Sequence, residues 1–152
     1  MTMWLDAAVA YLHFISIFVL FAFLTAEAML LRRAPDAAGV RLLGRIDLWY
    51  FGSAIAVLAT GFLRLAMGAK GADFYLSSWP IYVKVGLFLA VGIMSVYPTL
   101  AFIRWRRALD HDASWTVPAA EHARYRKLVM AEVHLAALIP VFAVIMARGL
   151  GR

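Results

Sequence analysis

The chain has no cysteine. That absence excludes disulfides, thiol redox chemistry and thiolate metal ligands. It also has little polar sequence between its apolar runs. The longest connection, Arg104–Lys127, is short, so no room is left for a soluble domain and residues 1–152 read as one unit. No internal repeat, low-complexity tract, nucleotide fingerprint or nucleophile–base constellation occurs, and no H-x-x-x-H pair of usual metal spacing. Soluble-type catalysis is therefore not expected. Nothing basic precedes the first apolar run, where Asp6 is the only charge between Met1 and Ala10. That run is also too long for the core of a signal peptide, so it is read as a retained span.

What is present is hydrophobic. Apolar residues make up 64% of the chain, and mean hydropathy is +0.80. They gather in four runs, Leu5–Leu31, Leu48–Met67, Ile81–Ile103 and Leu128–Met146. Each is close to the ~20 residues that a helix needs to cross the ~30 Å hydrocarbon core. The expected fold is all-α, a four-helix transmembrane bundle in contact with the lipid bilayer. Pro35 and Gly39 separate the first two helices, and Pro80 opens the third. The glycine-rich stretch Gly68–Asp73 connects spans two and three, Asp110–Asp112 reads as a turn, and Glu121–Lys127 starts the last helix below the membrane.

The net charge of +6 is a topology signal, not a nucleic-acid footprint. Ten of the fifteen Lys and Arg fall in or beside the two connections 32–45 and 104–127, against five elsewhere. The positive-inside rule places those connections in the cytoplasm and both termini outside. The expected location is the bacterial cytoplasmic (inner) membrane, multi-pass, with periplasmic termini. Trp4, Trp49, Trp79 and Trp105 fall where interfacial aromatic belts are expected.

A few ionisable side chains lie inside the runs, and lipid cannot satisfy them. Asp6, His13 and Glu27 are separated by multiples of seven and so share one helix face. Tyr50, Ser53, Thr60, Gly61 and Arg64 share a face of span two, with Asp47 at its edge. Lys84, Val91, Ser95 and Pro98 share one of span three. By helical rise these residues sort into two layers. His13, Arg64 and Lys84 lie toward the termini; Glu27, Asp47, Glu132 and His134 lie toward the basic connections. Glu132 and His134 point to nearly opposite sides of span four. The small residues Ala136 and Ala143 beside Glu132 favour Glu132 inward. His13 and His134 differ in depth by about 13 Å, which disfavours both binding one haem iron.

Each layer has a plain reading beside a functional one. Arg64 and Lys84 can snorkel to headgroups, and His13 can simply link helices. The carboxylates can pair with Arg45 and Arg104 at the helix ends. In the functional reading, neutral His13 is a metal ligand oriented by a partner. Arg64 and Lys84 then hold carboxylates of a cofactor, while Glu27, Asp47, Glu132 and His134 form a polar relay.

Tyr11-Leu12-His13-Phe14, Lys84-Val-Gly-Leu-Phe88, Ser95-Val-Tyr-Pro-Thr99 and Ala147-Arg-Gly-Leu-Gly151 resemble an uncharacterised family of four-helix bacterial membrane proteins. That family is distantly similar to the CopD and HemJ-type protoporphyrinogen oxidase group. The resemblance implies haem b, with His13 and Lys84 in the places of an early-helix histidine and a later-helix lysine. Where that group carries a histidine near the end of its third span, this chain has Tyr97-Pro98.

The leading expectation is a haem b-binding membrane oxidoreductase acting on a quinone-like or porphyrin-like substrate, with His13 as iron ligand. A small ion- or proton-coupled transporter and a structural accessory subunit remain open as alternatives. The pairs Ala22/Ala26 and Gly86/Ala90 permit close packing, within the bundle or in a homo-oligomer.

Overall fold

The computed structural model describes residues 3–67 and 72–150. The stretch 68–71, which includes Lys70, lies outside the described residues, as does Arg152. The described chain forms helices α1 (Met3–Leu30), α2 (Ala37–Met67), α3 (Ala72–Leu76), α4 (Trp79–His111) and α5 (Ala119–Ala147). All but α3 are long and apolar enough to cross a membrane, and no strand occurs among the described residues. The all-α, four-span expectation holds.

Three helices run past the apolar stretches that announced them. α2 starts at Ala37, where Asp36 Oδ1 accepts the Gly39 N–H at 2.7 Å and caps the first turn. α4 continues to His111, so the expected turn at Asp110–Asp112 moves to Asp112–Ser114. There the Asp112 carboxylate accepts the N–H and O–H of Ser114 at 2.9 and 2.6 Å, which hold its pKa below the usual range. Pro80 occupies the first turn of α4, as expected. α5 ends in a Schellman motif. Gly149, at φ 72°, lets the Gly149 and Leu150 N–H groups reach the carbonyls of Met146 and Ile145, both at 3.1 Å.

The spans pack as two hairpins. α1 lies along α2 and α4 along α5, and α2–α4 and α1–α5 contacts close the ring. Buried positions recur at steps of three and four: Leu20, Leu24, Glu27 on α1 and Leu31 just past its end; Leu43, Asp47, Tyr50, Ser53, Val57 on α2; Tyr125, Val129, Glu132, Ala136 on α5. Steps of three and four mark the seam along which neighbouring helices interlock side chains. Bulky residues such as Phe18, Phe51, Phe62 and Ile93 point outward, as a lipid-facing surface requires.

Packing is uneven along the membrane normal. The half nearest the basic connections is dense. In the half nearest the chain ends, no described residue of α1 between Val9 and Leu20 is buried, and none of α2 after Val57. The same holds between Pro80 and Val91 on α4, and between Ala136 and Met146 on α5.

Trp105 departs from its expected place in an interfacial belt. It is 0% exposed, packed against Phe102 at 5.6 Å and edge-on to Tyr125 at 5.7 Å. Its indole N–H donates to Glu121 Oε2 at 2.7 Å, and Arg104 pairs with the same oxygen at 2.7 Å. Trp4, Trp49 and Trp79 remain exposed, as a belt residue should be. Trp105 is therefore a clasp between α4 and α5. Trp105→Ala should lower the unfolding free energy in detergent by about 3–5 kcal/mol, as large-to-small core changes of an aromatic do. Denaturant titration followed by helical circular dichroism measures this.

Candidate functional site

Near the chain-end half, α1, α2 and α4 each contribute one basic side chain. His13, Arg64 and Lys84 are all half-buried and close enough to interact electrostatically. The guanidinium of Arg64 lies over the Phe14 ring at 5.5 Å, a cation–π contact that holds it near His13. The ion pairs found among the described residues are Arg41–Asp110 and Arg104–Glu121, both at the basic end. Arg64 and Lys84 take part in neither.

The orientation of His13 follows from its neighbours on α2. Its Nδ1 lies 2.9 Å from Thr60 Oγ1. The Thr60 hydroxyl gives its single proton to the Ala56 carbonyl at 2.6 Å, the usual back-bond of a helical threonine. Having no proton left, Thr60 Oγ1 accepts, and His13 Nδ1 must be the donor. In neutral His13 this leaves Nε2 with a free lone pair. Gly61 lies beside the ring: a Cβ built there would sit 3.4 Å from His13 Cε1, an ordinary van der Waals contact.

A second group forms in the dense half. Glu27 on α1, Asp47 on α2 and Glu132 on α5 interact electrostatically with one another. Thr99 on α4 donates to Asp47 Oδ1 at 2.7 Å, and Tyr50 on α2 is buried beside the group. Glu27 is 1% exposed and Glu132 0%. Neither Glu27 Oε1 nor either Glu132 carboxyl oxygen has a hydrogen-bond partner among the described residues.

The expected pairing of these carboxyls with Arg45 and Arg104 does not occur. Arg104 is taken by Glu121, and Arg45 is exposed. Their helices extend beyond the apolar zone, so both guanidiniums reach water more easily than they reach the core. Glu132 is the inward residue of its pair, as the flanking alanines suggested. His134 is exposed on the opposite side and bonds its own helix at the Met130 carbonyl, 2.6 Å away. It therefore stands apart from the carboxyl group and from His13. Sequence reasoning placed Thr60, Tyr50 and Ser95 on polar faces without giving them roles, and it did not single out Thr99 as a partner of Asp47. The only available signal was a hydroxyl at matching depth on a neighbouring helix. No group of three or more His, Cys, Asp or Glu suited to hold a metal ion occurs among the described residues.

The fold and these two polar groups define a four-span helical membrane protein with a cationic group near the chain ends and a carboxyl group in its dense half. The chain belongs to the family described as "Predicted membrane protein (DUF2214)", matched over residues 5–151, a domain of unknown function. No curated protein and no solved structure matches it, so the likeness to CopD and HemJ-type proteins gains no support from these comparisons.

The tautomer inference is directly measurable. In a nitrogen-15 spectrum of histidine-labelled protein, His13 should carry its proton on Nδ1. Thr60→Val removes the acceptor and should abolish that preference while leaving the helical signal unchanged.

Proposed function

We propose that the protein binds haem b within the membrane and acts as a redox protein on a membrane-soluble or porphyrin-like substrate. The observation that carries this reading is the free Nε2 of His13 beside two cations, Arg64 and Lys84, that make no ion pair with a described carboxylate. Haem b presents a metal that accepts a neutral imidazole nitrogen and two carboxylates that accept cations. A bound haem would supply one-electron transfer.

The residues present fit the group in this way. Thr60 holds the His13 ring and fixes its tautomer, as partners of metal-bound histidines do. Arg64 and Lys84 come from different helices, so each can meet a separate carboxylate. The looser packing of this half supports entry of a large ligand from the bilayer. His134 lies on the far face of α5 and would not be among the residues that hold the group. This cofactor assignment also extends the resemblance of His13 and Lys84 to the HemJ-type pattern.

The test is an oxidised and reduced absorption spectrum of protein purified with haem precursor supplied during expression. A Soret band with reduced α and β bands is expected, lost in His13→Ala. Arg64→Gln and Lys84→Gln should each weaken haem retention by about tenfold or more, since a charge-assisted hydrogen bond contributes ~1.5–3 kcal/mol. A preparation that stays colourless after haem addition overturns the assignment.

A further inference from the structure

The carboxyl group in the dense half plays no part in the haem reading, yet it is the more costly feature. Three carboxyls from three helices face one another in an apolar interior, and no described cation reaches them. Unpaired buried carboxylates lose their hydration and repel one another. Only a cation or protons can neutralise them. No metal-holding group of ligands occurs among the described residues, which leaves protons. Three oxygens on Glu27 and Glu132 are buried without a hydrogen-bond partner, as atoms that bind or share a proton would be.

Among the described residues no competing charge faces the cluster: α2 adds Tyr50, the one other titratable group there, and α4 adds only the hydroxyls of Ser95 and Thr99. Asp47 is the least buried of the three carboxyls, at 7% exposure, and its partner Thr99 is half-buried. The cluster therefore comes nearest the surface between α2 and α4.

We propose that Glu27, Asp47 and Glu132 form a proton-binding site inside the membrane, in which Glu27 and Glu132 hold protons and Asp47 with Thr99 exchanges them with water. Each uptake breaks one O–H bond of a hydronium ion, forms one on a carboxylate oxygen and releases a water molecule, so one negative charge is neutralised. No electron moves and no co-reactant is needed. The site stands independently of any haem.

Infrared spectroscopy of the full-length purified protein at neutral pH, in H2O and in D2O, tests this. A carbonyl stretch of protonated carboxyl groups is expected, shifting to lower frequency in D2O as the protons exchange. Glu27→Gln and Glu132→Gln should each remove part of that band. Asp47→Asn and Thr99→Val should leave the band and slow its shift. Absence of the band in the wild-type protein overturns the proposal, even if a variant fails to fold. So does a band unchanged in both glutamine variants, because it then arises elsewhere. A band that never shifts in D2O overturns the exchange.

Discussion

A polar group inside a lipid bilayer has no water to fall back on, and every feature of this bundle answers to that constraint. The backbone satisfies it by forming long helices whose hydrogen bonds are internal. Side chains satisfy it by sharing one stripe per helix and turning that stripe inward. The consequence is visible in which residues are exposed. Phe18, Phe51, Phe62 and Ile93 face outward, while Glu27 and Glu132 are almost wholly enclosed. A soluble bundle with this surface would aggregate; in lipid the surface is solvated, and the buried carboxyls become the part that needs an explanation.

The two polar groups cannot satisfy each other. His13 and Glu27 are fourteen residues apart on α1, which places them about 21 Å apart along the axis. At an effective dielectric of about 20, one pair of opposite charges at that distance gains only ~0.8 kcal/mol, little against the cost of burying either ion. Between the layers lie Leu20, Val57 and Val91, all buried in the hydrophobic core. The anionic ligand proposed for the cationic layer and the protons proposed for the carboxyl layer therefore act separately, a consequence of one spacing along one helix.

The fold was legible from the sequence because four apolar runs of spanning length admit few other readings. Helix ends were less legible, because α2 and α4 continue into polar sequence where hydrophobicity no longer reports on helicity. The inward face of α5 was legible from small residues beside Glu132. The fate of Trp105 was not, since an interfacial tryptophan and a buried one look the same until Glu121 folds back across the connection to meet it. For the same reason the pairing of Arg104 could not be assigned: Glu121 competes from the loop side, and it wins because both partners lie outside the apolar zone. Which residues share a face follows from helical period. Which hydroxyl on a neighbouring helix meets which ring or carboxyl depends on crossing angles that the period does not contain.

That last dependence decides the chemistry of His13. A threonine facing the solvent would leave its hydroxyl free to donate or accept, and a histidine beside it could adopt either tautomer. Within an apolar helix, Thr60 has one good use for its proton, the Ala56 carbonyl one turn back. The commitment rests on the backbone of α2 and does not involve α1. The imidazole on α1 therefore meets a hydroxyl that can only accept. A single backbone hydrogen-bond acceptor on one helix thus sets which nitrogen of a histidine on another is free. The metal-ligand character proposed for Nε2 originates in that relay, not in any property of the histidine itself.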